Sequence, residues 1–258
     1  MAYETLKFEK KDGMAVMTMN RPENLNSVNT RMQAEMTDIW NDIEADKSVR
    51  VVIITGGPKC FCSGADIKEQ FPPGKARPSS RDFFKRIEDS PLPSIAAISG
   101  YCLGGGLELA LCCDLRIATN TSKFGLVEIR IGAVPGAGGM QRLPRIIGIT
   151  KAKEMLYTAM QINAEEAYRL TLINKIVTEE TLQEEAEKLA ATLLTFPPHG
   201  LKVAKRCVNE GMQVDLNTAL KLDVAIAAAE MALPLSQANR LEGQTAFREK
   251  RKPNYKAE

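Results

Sequence analysis

Two glutamates stand in apolar surroundings beside glycine-rich turns, and of all side chains in this sequence they are the best placed to move a proton. Glu108 follows the consecutive glycines Gly104, Gly105 and Gly106 in GYCLGGGLELALCCD (100–114). Glu128 lies between Val127 and Ile129 in FGLVEIRIGAVPGAGGMQRLPR (124–145), ahead of a second turn at Gly136, Gly138 and Gly139. A carboxylate taken out of water and set near another is harder to keep ionised, so at least one of the pair should titrate towards neutrality, as a general acid must. The glycines supply the complement. A strand-to-helix turn without side chains leaves backbone N–H groups uncovered, and a helix N-terminus offers unpaired donors and partial positive charge to a developing oxyanion. Alone, each glutamate reads as a solvated residue and each glycine run as a tight turn; their coincidence points to acid–base chemistry.

Other chemistries are poorly served. His199 is the only histidine, and in FPPHGLKVAK it opens a predicted helix at a surface or capping position, which leaves no Ser-His-Asp or Cys-His arrangement. The six cysteines, Cys60, Cys62, Cys102, Cys112, Cys113 and Cys207, fall in apolar or glycine-rich surroundings and read as reduced thiols. No C-x-x-C pair starts a zinc site, and no G-K-[ST] follows the glycines to make a phosphate loop. No metal is expected.

A third segment, CFCSGADIKEQF (60–71), carries the small-residue turn Ser63-Gly64-Ala65-Asp66, whose amides are suited to face the first glycine loop. By itself it would be a helix start with Asp66 as the cap.

The elements that must position these segments alternate. MAVMTMN (14–20) reads as a strand ending at Asn20-Arg21-Pro22, and Met32, Met36, Ile39, Trp40 and Ile43 recur at helical spacing after a cap at Asn29 or Thr30. VRVVIITG (49–56) and SIAAISG (94–100) are runs fit for strands buried on both faces, and DLRIAT (114–119) is a further strand. FPPGKARPSS (71–80) reads as a surface loop. Beyond about residue 148 the pattern is helical except for a short strand at 174–177. That pattern divides the chain into a mixed α/β core and a helical C-terminal region.

With 258 residues, 34 Lys plus Arg against 32 Asp plus Glu, 44% hydrophobic and 26% charged residues, the composition is that of a folded chain whose net charge of +2 calls for neither nucleic acid nor an anionic membrane. No run approaches the ~18 apolar residues of a membrane span, and MAYETLKFEKKDG has neither a secretory nor an organelle-targeting pattern. The expected setting is cytoplasmic.

The quoted segments, with NRPENLNSVN (20–29) and the tail EGQTAFREKRKPNYK, resemble the enoyl-CoA hydratase/isomerase (crotonase) superfamily over nearly the whole chain, and most closely its 2-enoyl-CoA hydratases. The resemblance implies an α/β fold, a spiral of β-β-α turns carrying the active site over residues 1–195, followed by a helical trimerisation region over residues 196–258, assembling as a homotrimer or dimer of trimers. It implies an oxyanion hole from the amides of Ala65 and Gly105, Glu128 as the acid that protonates Cα, Glu108 as the base that activates water, and Gly136 ordering the site. Coenzyme A enters as part of an acyl-CoA thioester substrate, without a separate cofactor, against Ser63, Ala65, Asp66, Ile67 and Lys68; Phe247 and Lys250 match positions that reach CoA, often from a neighbouring subunit. The presence of both glutamates favours hydration, with enoyl-CoA isomerisation or hydration of a branched or cyclic acyl group as the alternative. Asn24 and Met140 depart from the family pattern, with expected effects on the CoA-binding rim and on packing behind Gly136. The acyl pocket is expected to be walled by residues 71–90 and the C-terminal helices.

Overall fold

The computed structural model describes residues 3–72 and 78–256; residues 73–77 of the expected loop lie outside the described residues. In chain order the elements are β1 (Leu6–Lys11), β2 (Met14–Met19), α1 (Thr30–Ala45), β3 (Val51–Thr55), β4 (Cys60–Cys62), α2 (Arg81–Asp89), β5 (Ser94–Ile98), β6 (Tyr101–Leu103) and α3 (Gly105–Cys112). They continue with β7 (Leu115–Thr119), β8 (Lys123–Gly125), α4 (Gly139–Ile147), α5 (Ile149–Thr158), β9 (Ile162–Asn163), α6 (Ala164–Arg169) and β10 (Lys175–Val177). Four helices close the chain: α7 (Leu182–Leu194), α8 (Pro198–Gly211), α9 (Leu216–Met231) and α10 (Pro234–Glu249). Asn29 caps α1 as expected, its side chain accepting from the Met32 amide.

Three successive β-β-α units run β3-β4-α2, β5-β6-α3 and β7-β8-α4. The first strand of each joins a six-stranded sheet of order β1-β2-β3-β5-β7-β10, and the second joins a four-stranded sheet of order β4-β6-β8-β9. From β2 through β7 the large-sheet neighbours are parallel, and so are β4, β6 and β8. Each unit therefore advances one strand along both sheets, which is the spiral.

The large sheet is buried on both faces, which is why its strands read as continuous apolar runs. Val52, Ile54, Ala96 and Ile98 point into the main core with Met36, Ile39 and Trp40 of α1. Val51, Ile53, Ile95 and Ala97 point the other way, against Leu182, Ala186 and Ala190 of α7. The small sheet was not read from the sequence because its strands are two or three residues long. The edge strand β1 carries no apolar pattern in the sequence, because its residues are mostly exposed and charged.

α3 is tied down from behind by Arg116, a buried guanidinium whose Nε donates to Leu172 O at 2.7 Å and whose Nη1 donates to Cys113 O at 2.6 Å and Ala110 O at 3.4 Å. A cation there also meets the negative end of the α3 dipole. Replacing Arg116 with Met keeps the bulk but removes the guanidinium donors from Leu172 O and Cys113 O, while Ala110 O keeps the Cys113 amide; a buried carbonyl left without a donor costs roughly 1–3 kcal/mol. Thermal unfolding of Arg116→Met should fall by several degrees; an unchanged Tm would refute the anchoring role.

Candidate active site

SGAD, GGG and LVE each follow a strand of the small sheet, β4, β6 and β8, and because these strands are parallel neighbours the three segments emerge side by side at one end. They line a cleft of about 830 Å³ that includes Ser63, Gly64, Ala65, Gly104, Gly105, Glu108, Glu128 and Gly136.

Residues 25–28 lie along residues 63–66. The Ser63 amide donates to Leu25 O at 3.0 Å, the Val28 amide to Gly64 O at 2.8 Å and the Asp66 amide to Val28 O at 2.9 Å. In this parallel bridge the residue between two such bonds directs its own N–H to the opposite side, so Ala65 turns its amide away from Val28. Gly105 is the first residue of α3, where an N–H has no helical acceptor. The two amides are close: a first side-chain carbon on Gly105 would stand 3.6 Å from the Ala65 nitrogen, and one on Gly64 would stand 3.2 Å from the Gly105 nitrogen. Gly64, at φ +107°, and Gly104, at φ +51°, hold backbone shapes that a side chain would strain, and a side chain on Gly104 would press on Glu128 Oε1.

Glu108 is 3% exposed, and its Oε1 accepts from the amides of Ala137 and Gly139, both at 2.8 Å. Burial pushes its pKa above the ordinary glutamate value, while the two amides and the positive Arg142 pull it back. Glu128 opens a 3-10 turn (Glu128–Ile131) and is held differently: its Oε2 is buried with no hydrogen-bond partner among the described residues. Burial, reinforced by the charge of Glu108, lifts its pKa from 4.5 to about 7.

Several expectations are corrected. Asp66 caps no helix. It is buried, pairs with Arg21 Nη2 at 2.9 Å and accepts the Lys68 amide at 3.1 Å, so it braces a turn. His199 lies half-buried inside the first turn of α8, whose cap is Pro197, with Nδ1 unpartnered among the described residues. Met140 is exposed rather than packed behind Gly136. The cleft takes Pro78, Ser79, Ser80 and Phe84 from the 71–90 region, but among the described residues none of the C-terminal helices lines it. Ile67, Lys68 and Asn24 line the cleft, whereas Phe247, 86% exposed, and Lys250, at the end of α10, do not line it among the described residues. The bracing strip Leu25–Val28 escaped sequence reading, although Asn26 marks it: its Nδ2 donates to Gly56 O and Cys60 O at 2.7 and 2.6 Å, latching the strip to β4.

The enoyl-CoA hydratase/isomerase family model matches residues 9–258. The chain belongs to this family. Among similar curated proteins is the crotonyl-CoA hydratase of Syntrophomonas wolfei, 41% identical with 99% of each chain covered. The short-chain-enoyl-CoA hydratase of Clostridium acetobutylicum is 38% identical, covering 98% of this chain and 97% of that one. The human mitochondrial methylglutaconyl-CoA hydratase is 39% identical over 97% of this chain and 76% of its own. The crystal structure of an enoyl-CoA hydratase from Bacillus anthracis superimposes with a TM-score of 0.91 at 37% identity, covering 99% of this chain and all of that one. The crotonase spiral expected from the resemblance is therefore the fold of this family member.

Because the folded-state pKa of Glu128, about 7, exceeds the ordinary 4.5, the folded chain binds more protons than the unfolded chain between those values. The associated stability is complete below pH 4.5 and is lost as pH rises to about 7. Across that window wild-type protein should lose more stability than Glu128→Gln in urea titrations; parallel curves would refute the raised pKa.

Proposed function

We propose that the cleft adds water reversibly across the 2,3 double bond of a trans-2-enoyl-CoA thioester. The carrying observation is the convergence of two amides, those of Ala65 and Gly105, that have no acceptor among the described residues with two carboxyls held in unlike environments. The thioester oxygen binds the amides of Ala65 and Gly105, which stabilise the enolate charge by roughly 3 to 4 kcal/mol per well-placed donor. Glu108, kept towards the carboxylate by the Ala137 and Gly139 amides, takes a proton from water as its oxygen bonds to Cβ. Glu128, whose raised pKa keeps it proton-loaded near neutrality, delivers its proton to Cα. The two glutamates reset by exchange with solvent. Gly136, beside them on the cleft wall, orders the water side.

CoA runs over Ser63 to Lys68 at the cleft mouth, where Ile67 is 70% exposed to receive it. Phe247 and Lys250 contact the CoA of a neighbouring copy, a reading supported by their exposure at the end of α10 and distance from this chain's own cleft. A homotrimer or dimer of trimers is further supported by α9, where Leu216, Leu220 and Val224 form an exposed apolar stripe at four-residue spacing. The described residues contain no helix long and apolar enough to cross a membrane, and their cysteines are all free thiols, which suits a cytoplasmic setting.

Purified protein should consume crotonyl-CoA with loss of the conjugated thioester absorbance, and a panel including methylglutaconyl-CoA and 3-enoyl-CoA thioesters separates branched hydration and isomerisation. Glu108→Gln and Glu128→Gln should each lower kcat at least about a hundredfold with CoA binding retained. For wild type, kcat/KM should decline as pH rises through about 7, where Glu128 loses its proton; near-normal turnover by either variant removes that residue from its role. Leu220→Glu should dissociate the assembly in sedimentation velocity, whereas an unchanged sedimentation coefficient would leave α9 outside the interface.

A further inference from the structure

The turn that feeds two amides to Glu108 is gripped on its other side by two arginines. Arg142 Nη1 donates to Ala137 O at 2.9 Å, while Arg81 Nε and Nη2 lie 3.3 and 3.2 Å from Gly136 O. Ala137 is thus held at both ends of its backbone, its carbonyl by Arg142 and its amide by Glu108. The Arg142 fork is itself clamped: Nε donates to Glu88 Oε1 at 3.0 Å and Nη2 to Glu88 Oε2 at 2.8 Å, with side-chain exposures of only 15% and 30%. Glu88 comes from the last turn of α2, whose Phe84, one turn earlier, lines the cleft. α2 is anchored in turn by α8, where Asn209 Nδ2 donates to Glu88 O at 3.1 Å and Lys205 Nζ to Ile87 O at 3.3 Å.

We propose that Arg142 and Glu88 are a positioning pair for Glu108: Arg142 holds the 136–139 turn so that its amides face the carboxylate, and Glu88 keeps the Arg142 fork on the turn and off Glu108. The proposal deepens the hydratase mechanism and rests on reading Glu108 as its base. A bidentate fork is planar and directional, so with Nε and Nη2 committed to Glu88 the remaining Nη1 is aimed at Ala137. Besides Glu88, the carboxylate whose charge acts on Arg142 is Glu108, and a direct pair there would weaken the base. The charged and titratable groups around Glu108 are Glu128 from the 3-10 turn, Arg142 from α4 and the Cys112 thiol from its own helix. Glu88 faces Arg142, with Lys85 and Lys205 beside it.

The two members of the pair should act on the acidic limb of the kcat/KM profile in opposite directions. Arg142→Gln removes both the turn's anchor and a nearby positive charge, so the limb should move to higher pH. Glu88→Gln frees the cation towards Glu108, so the limb should move to lower pH. Both variants should lower kcat on crotonyl-CoA about tenfold or more while KM stays within about threefold, the pattern of a misplaced base with intact substrate binding. Arg142→Lys keeps the charge without the fork and should lower kcat with little movement of the limb. Arg145→Gln, on the exposed side of α4, should match wild type. Titration of the Glu108 carboxyl by difference infrared spectroscopy, assigned against Glu108→Gln, reads the same shifts without turnover. If wild type proves inactive on every thioester, the hydratase reading falls, and this titration alone decides the pair. If Arg142→Gln does not fold, Arg142→Lys and Glu88→Gln carry the test. Folded variants with wild-type kcat and an unmoved Glu108 titration, or with shifts of the same sign in both, would overturn the proposal.

Discussion

Parallel pairing among β4, β6 and β8 is the constraint on which the site depends. Each strand has three residues, too few to persist alone, and each follows within about six residues a strand of the large sheet, so the small sheet exists only because the large one fixes where its strands begin. Their side chains close the space between the sheets: Phe61, Cys62, Cys102 and Phe124 have essentially no solvent contact. Once the strands are in register, the segments beyond them have no freedom to separate. The Ala65 and Gly105 amides meet, and Glu128 is brought against Gly104.

On that frame the two carboxyls are made unequal by a local difference. Both are drawn from water, which alone would raise both pKa values. Glu108 is then given two backbone donors and a nearby guanidinium, while Glu128 is given a buried oxygen with no donor among the described residues and a negative neighbour. One carboxyl is thereby kept closer to the anion and the other closer to the acid. The difference arises from what surrounds two identical side chains.

The C-terminal helices attach by different physics. Both apolar clusters end by Leu194, and α8 meets the core through polar contacts, with Lys205 Nζ donating to Leu92 O and Asp114 Oδ2 at 2.9 Å each. Apolar residues of α9 and α10 are left facing outward, Leu216, Leu220, Val224 and Leu241 among them.

Much of this was legible in the sequence because it rests on local patterns. Strands buried on both faces announce themselves as apolar runs, α1 by its periodicity and cap, and the pairing of glycine turns with Glu108 and Glu128 by residue type alone. The small sheet was not legible, because two- and three-residue strands carry no period. Nor was the strip Leu25–Val28, whose role is to engage the amides flanking Ala65, or the link from Glu88 through Arg142 to Glu108, which joins residues 54 and 34 positions apart. Sequence by itself determined which groups are available for proton transfer and oxyanion binding, since that is a property of side-chain and backbone chemistry. Tertiary structure alone decided how differently the two carboxyls are surrounded and which backbone groups the strip engages, because pKa and hydrogen-bond occupancy depend on burial and on partners that only folding brings within reach.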